Sequence, residues 1–180
     1  IEATRRLTVG NGLTEGVKMG PVADANQEQT ILNYVEIGKR EGAELLYGGR
    51  KLGGSGFDRG FFIEPAVFGS VRPEMRIAQE EIFGPVLAVI EARDFDEAVE
   101  IANGVEYGLS ASICTRDIGR AQQFARLIEA GMVKINQPTT GVALNAPFGG
   151  MKKSSSETFR EQGQMAMEFF SRVKTVSMRY

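Results

Sequence analysis

Pro85-Val86-Leu87-Ala88-Val89-Ile90 opens the part of the chain whose pattern decides the fold. A proline, which fixes its own φ and lacks an N–H, precedes an unbroken apolar run, so a strand is launched from a turn. Asp94 with Glu97 three residues on has capping-box spacing and starts a helix to about Ala102. Asn103-Gly104 stops it, and Ser110-Ala111-Ser112-Ile113-Cys114 reads as the next strand. Asp117 opens a second helix, with Ala121, Phe124, Ala125 and Ile128 at helical spacing and Gly131 closing it. Met132-Val133-Lys134-Ile135-Asn136 is a third strand. Strands alternating with helices over short links predict an α/β fold with a mainly parallel sheet and right-handed crossovers. Ligands gather at the carboxyl ends of such strands. That edge holds Asn136, the loop over residues 137–150 and Cys114, and the turn at Glu81 reaches it only if the chain folds back.

Upstream, the signals are more broken. Residues 9–20 carry Gly10, Gly12, Gly16 and Gly20 without apolar period and read as a loop. Asp24 and Gln27 make a capping box for a helix whose apolar side is Ile31, Leu32 and Val35, ended by Gly42. Leu45-Leu46-Tyr47 is a short strand; glycine-rich connections then lead to Phe61-Phe62-Ile63-Glu64-Pro65, where Pro65 marks a strand edge or break. Glu80-Glu81-Ile82-Phe83-Gly84-Pro85 sets an acid and an aromatic ring two residues apart, just before the strand expected to be buried. Such a pair can grip a ligand that has hydroxyls and a flat face. Taken alone, it reads first as a solvated acid beside a core phenylalanine, ahead of a ligand grip.

Composition narrows the classes. The 180 residues are enough to bury one sizeable core. Net charge is -2, from 21 basic and 23 acidic side chains, which supplies no basic field for nucleic acid or anionic lipid. No apolar run is long enough for a membrane span, no signal-peptide pattern opens the chain, and a lone Cys builds no disulfide framework. A cytoplasmic protein is expected. The chain has no His, which removes Ser-His triads and His metal sites. It opens Ile1-Glu2-Ala3-Thr4-Arg5-Arg6-Leu7, without Met and reading as the last turns of a helix, so a piece of a longer polypeptide is expected. At the other end, residues 152–157 are polar and serine-rich, and Lys174-Thr175-Val176-Ser177-Met178 reads as a terminal strand of the kind that pairs with another chain.

Several short motifs stand together in order: Met19-Gly20-Pro21, Glu41-Gly42-Ala43, residues 79–85, Tyr107-Gly108-Leu109-Ser110-Ala111, Ala130-Gly131, Asn136, Ala146-Pro147-Phe148-Gly149-Gly150 with Lys152, and Val173-Lys174-Thr175-Val176. As an ordered set covering nearly all the chain, they resemble the C-terminal part of the aldehyde dehydrogenase superfamily. The resemblance implies a three-layer α/β catalytic domain, here partial, over residues 1–170, and an oligomerisation strand over 171–180. It implies NAD- or NADP-dependent oxidation of a small aldehyde to its acid, in a homodimer or homotetramer. The family's attacking cysteine, general-base glutamate and dinucleotide-binding half lie upstream of the matched part, so no catalytic residue is expected in this chain.

What the resemblance places here is one wall of the active site. Glu81 matches the acid that accepts hydrogen bonds from the nicotinamide ribose hydroxyls, and Phe83 the ring packed beside that ribose. Residues 136–148 resemble the loop lining the aldehyde tunnel. In it Phe148 is an apolar wall, Val142 falls where residue size varies, and Thr139, Thr140 and Asn145 are either partners for a polar substrate tail or water-satisfied loop residues. Cys114 lies where chemistry would sit, yet no His can activate it, and it is expected to be a buried, inert strand residue.

Most members follow the Gly-Gly turn with Lys, a variable residue and Ser-Gly, whereas here Lys152-Lys153-Ser154-Ser155 puts Ser in place of that Gly. This variant looks like the family's bacterial branch acting on 2-oxoglutarate semialdehyde (2,5-dioxopentanoate), with succinate and glutarate semialdehyde as alternatives. Two other classes fit parts of the chain. One is a non-catalytic interaction module built on the terminal strand. The other is an acyl-phosphate or acyl-CoA reductase, against which the residues 81–85 argue for the hydrolytic branch.

Overall fold

The computed structural model describes residues 1–155 and 160–180. Ser156 and Glu157, which end the serine-rich stretch, lie outside the described residues. The chain divides into two compact units, Ile1–Arg93 and Asp94–Tyr180. Its elements are mixed α/β, with parallel strand pairing in both units.

The first unit contains α1 (Glu2–Arg5), α2 (Ala25–Arg40), β1 (Glu44–Tyr47), β2 (Ala66–Gly69), α3 (Arg76–Gln79) and β3 (Val86–Ala88). Asp24 caps α2 as expected, its Oδ1 accepting from the Gln27 N–H at 2.8 Å. The buried positions Ile31, Val35 and Gly38 follow helical spacing along the face of α2 that meets Phe68 and Ile77. Gly38 allows that approach without displacing either neighbour, because a Cβ there would stand 3.0 Å from Ile77 Cδ1 and 3.1 Å from the Phe68 ring. Phe68, Ile31, Ile63 and Val35 are the largest fully enclosed side chains. Each such burial stabilises the fold by about 1.5–3 kcal/mol.

The sheet here runs β1-β2-β3, antiparallel on one side of β2 and parallel on the other. Two expectations are corrected. The central strand β2 was hidden behind Pro65, whose missing N–H is harmless because the ladder starts at the next residue, where Ala66 N donates to the Pro85 carbonyl at 2.8 Å. The run after Pro85 is an edge strand of three residues rather than a buried strand of five. Leu87 is 55% exposed and Val89 43%, while Val86, Ala88 and Ile90 pack on the core. It pairs in parallel with β2.

The second unit contains α4 (Phe95–Asn103), β4 (Tyr107–Gly108), β5 (Ser110–Ile113), α5 (Ile118–Leu127), β6 (Met132–Ile135), β7 (Met151–Lys152) and α6 (Gly163–Phe169). Asp94 and Asp117 cap α4 and α5 through backbone N–H groups of Glu97, Gly119 and Arg120. β5 and β6 pair in parallel from Ser110↔Met132 to Ile113↔Ile135, as the alternating pattern predicts. Their residues Ala111, Ile113 and Val133 pack on Val99, Phe124, Ile128 and Ala130. Cys114 lies one residue beyond that ladder and is exposed, not buried, since the pairing and the core it covers both end at Ile113. Residues 171–180 show neither helix nor strand pairing among the described residues, and Val173, Val176 and Met178 are exposed. Among the described residues, no helix is long and apolar enough to cross a membrane.

Candidate functional site

Glu81 and Phe83 stand on a turn pinned from two sides. On one side, α3 ends at Gln79 and Glu80 turns to extended backbone. On the other, Gly84 lies against α2 so closely that a Cβ would come within 2.4 Å of Ile31, which is wholly buried and cannot yield. Between them Phe83 has φ +56, a left-handed conformation that a bulky residue adopts at a cost of about 1–3 kcal/mol. Gln27 offsets this strain. Its side-chain amide donates to the carbonyls of Ile82 and Phe83, 2.9 Å from each. The capping box is therefore half made: the Gln27 backbone serves Asp24, while its side chain leaves the helix to hold the turn.

The two adjacent glutamates take different roles. Glu80 is fully engaged: Arg76 Nε and Nη2 donate to its two oxygens at 2.8 Å each, and the Tyr34 hydroxyl donates at 2.6 Å. The guanidinium, and after it the tyrosine hydroxyl, hold the Glu80 carboxyl down to about 2. The same carboxylate raises the Tyr34 phenol above its ordinary range. Arg76 also lies over the Tyr34 ring, 5.6 Å from its centroid, and its N–H donates to Glu41 Oε2 at 2.8 Å. Glu81 has no hydrogen-bond or ion-pair partner among the described residues and is exposed. Its carboxylate and the Phe83 ring, which is 77% exposed, line an open groove of about 410 Å³ with Ile77, Ile82 and Val86. An unengaged acceptor beside a bare ring suits a ligand with hydroxyl groups and an apolar face.

In the second unit the loop after β6 carries the remaining predicted residues. Asn136, at φ +54, uses its side-chain amide twice on Thr115, accepting from its N–H at 2.8 Å and donating to its carbonyl at 2.9 Å. Asparagine is among the side chains that tolerate this conformation. Thr139, Thr140 and Asn145 are exposed, and Val142 and Phe148 are half-buried. The far end of the loop is anchored: Phe148 and Glu161 exchange backbone hydrogen bonds of 2.6 and 2.8 Å, and Arg160 Nη1 donates to the carbonyls of Gly131 and Gly149. Lys152 closes the end of α4, donating to the carbonyls of Asn103 and Val105 and pairing with Glu129 at 2.6 Å.

Residues 1–176 match the family model described as aldehyde dehydrogenase family. The chain belongs to the aldehyde dehydrogenase family. It is 52% identical over 176 residues to the alpha-ketoglutaric semialdehyde dehydrogenase of Bacillus subtilis (strain 168), covering 98% of this chain and 36% of that protein. It is 47% identical, with the same coverage, to the 2,5-dioxopentanoate dehydrogenase of Saccharolobus solfataricus. Among solved structures, the betaine aldehyde dehydrogenase of Staphylococcus aureus in complex with NAD+ superposes with a TM-score of 0.89 at 35% identity, covering 94% of this chain and 33% of that one. The chain thus spans about a third of the length of the relatives it matches.

In this member of the family, motif reading singled out Glu81 and Phe83 but not the residues that hold them. Gln27 was visible as a cap. Its second role is carried by contacts 55 and 56 residues away, which no local spacing encodes. The Glu80–Arg76 pair did carry a signal, an acid four residues after an arginine on a short helix.

Proposed function

We propose that the full protein containing this chain is an NAD(P)-dependent aldehyde dehydrogenase that oxidises 2-oxoglutarate semialdehyde to its acid. The observation that carries this reading is the 52% and 47% identity to two proteins named for that substrate, across nearly all of this chain. Residues 1–170 belong in this reading to the catalytic domain and 171–180 to an oligomerisation strand, in a cytoplasmic homodimer or homotetramer. The exposed apolar side chains of residues 173–178 support a segment covered by another subunit.

The nicotinamide coenzyme supplies the hydride acceptor when bound, and the groove beside Glu81 fits it. The Glu81 carboxylate would accept from ribose hydroxyls, and Phe83 would offer the ribose an apolar face, both residues lining the groove. The related structure solved with NAD+ supports a coenzyme of this class. In the second unit Thr139, Thr140 and Asn145 offer polar groups to the substrate, with Val142 and Phe148 as apolar wall. The reading assigns the attacking cysteine and general base to the parts of the relatives that this chain does not match, so the 180-residue chain alone is expected to turn over no aldehyde.

The test is an assay of the full-length enzyme with 2-oxoglutarate, succinate and glutarate semialdehydes, each with NAD+ and NADP+. The highest kcat/KM is expected with 2-oxoglutarate semialdehyde. A preference for succinate or glutarate semialdehyde would move the substrate assignment to that alternative, and absence of coenzyme reduction with every aldehyde would overturn the reading.

A further inference from the structure

The loop after β6 folds back along its own sheet and is fastened there through alternate carbonyls. Ser112 Oγ donates to the Gln137 carbonyl at 2.6 Å and Lys134 Nζ to the Gly141 carbonyl at 2.7 Å. Ser110 Oγ reaches the Thr139 carbonyl at a longer 3.4 Å, outside the usual range of a strong O–H···O bond. As the loop advances from 137 to 139, its anchors step back from Ser112 to Ser110, so it runs antiparallel to β5.

The pleat explains why these three side chains are available. Register sets Ser112 opposite Lys134 and Ser110 opposite Met132. Ala111, Ile113 and Val133 are committed to the core with α4 and α5. Side chains alternate along a strand, so Ser110, Ser112 and Lys134 are sent to the other face. Asn136 makes the reversal at the strand end, clamped to Thr115. The loop is bent at residues 137 and 139 and Gly141 has φ +79, and in this conformation the carbonyl oxygens of residues 137, 139 and 141 face the donors on the sheet.

We infer that Ser112 and Lys134, with Ser110 as a weaker third, are positioning residues that set where Thr139, Thr140 and Val142 stand and thereby select the aldehyde. This rests on the proposed role of the loop as the substrate wall. The three residues do not touch substrate; they act through the backbone they hold. A loop displaced by about 1 Å moves a reacting carbonyl out of line and is enough to cost on the order of 100-fold in rate.

The test uses the full-length enzyme carrying Ser112→Ala with Lys134→Met, which deletes both strong donors and keeps the Lys134 stem. Hydrogen exchange is followed by mass spectrometry over the peptide covering residues 136–146, alongside kcat/KM for 2-oxoglutarate semialdehyde and for propanal. Faster exchange is expected in that peptide, with the ratio of the two kcat/KM values falling about tenfold and the KM for coenzyme unchanged. Ser112→Thr with Lys134→Arg is expected to restore both. Unchanged exchange would overturn the tether. Faster exchange with an unchanged ratio would overturn its role in selection. Should the double variant fail to fold, the single variants give the same two readouts. A wild-type enzyme that oxidises no semialdehyde would defeat the functional reading instead, and exchange alone would then decide the tether.

Discussion

Gln27 Nε2 lies 2.9 Å from the carbonyl oxygen of Phe83, joining the first turn of a helix to a residue 56 positions later. The same nitrogen donates to the Ile82 carbonyl, so one amide holds both peptide groups of a turn whose Phe83 is left-handed. Gln27→Leu removes the donor and leaves the two carbonyls to water. We expect a loss of about 1 kcal/mol or somewhat more of stability by chemical denaturation. In the full-length enzyme the same change is expected to weaken coenzyme binding. Unaltered coenzyme affinity would show that the turn keeps its shape without Gln27.

Glu81→Gln tests the groove itself. A hydrogen bond from a hydroxyl to a carboxylate is worth about 1.5–3 kcal/mol. Replacing the charge by an amide should slow hydride transfer in the full-length enzyme by about 10-fold or more, read from single-turnover coenzyme reduction. Because Glu81 has no partner among the described residues, stability should barely change. An unchanged single-turnover rate would remove the ribose-anchor role.

Glu80 predicts the opposite profile, a change in stability that depends on pH. Arg76 and Tyr34 depress its carboxyl from an ordinary 4.5 to about 2. A depressed carboxylate contributes stability that is fully present above its unfolded value and is lost as pH falls through its folded one. The denaturation midpoint of wild type should therefore exceed that of Glu80→Gln at pH 7, with the gap closing between about pH 4.5 and pH 2. The pair is 49% and 40% exposed, so solvent screening keeps the gap small. A gap independent of pH would assign the effect to packing.

Gly131→Ala should unfold the second unit first. A Cβ at that position would stand 1.9 Å from the Gly149 carbonyl oxygen and 2.7 Å from Gly150 Cα, both of them backbone atoms. Arg160 donates to the carbonyls of Gly131 and Gly149, which ties the two segments together at the point of approach. A loss of about 2–3 kcal/mol is expected from thermal or chemical denaturation. Wild-type stability in this variant would mean that the close approach relaxes at little cost.

Removing residues 171–180 from the full-length enzyme checks the proposed oligomerisation strand. Val173 is 98% exposed in this chain, beside exposed Val176 and Met178. A smaller assembly by analytical ultracentrifugation is expected on deletion. An assembly with an unchanged number of subunits would exclude the segment from the interface.

Much of the local structure was legible because its causes are local. Asp24, Asp94 and Asp117 cap helices with side-chain oxygens that reach only two or three residues along the chain, and all three were readable from spacing. The β5–β6 pair followed from the strand, helix, strand order. Cys114 and the run at residues 86–90 were misjudged for one reason. Apolar or thiol character says that a residue can be buried, while the neighbouring strand decides whether it is. β2 escaped because a proline directly before a four-residue apolar strand looks like an ending rather than a start.

By itself the sequence determined the family, the starts of α2, α4 and α5, and the motif that sets Glu81 and Phe83 among the residues of the groove, since each of these is written in residue type at short spacing. Tertiary structure alone decided that the Tyr34 hydroxyl joins Arg76 on Glu80 while the neighbouring Glu81 stays open. It also decided that Gln27 grips a distant turn and that Ser112 and Lys134 reach the loop carbonyls. The i,i+4 spacing from Arg76 marks Glu80 rather than Glu81, but nothing local marks the second partner. That partner, the Tyr34 hydroxyl, comes within 3 Å only through the packing of α2 against α3, a relation fixed by the buried faces around Phe68 rather than by anything adjacent in the chain.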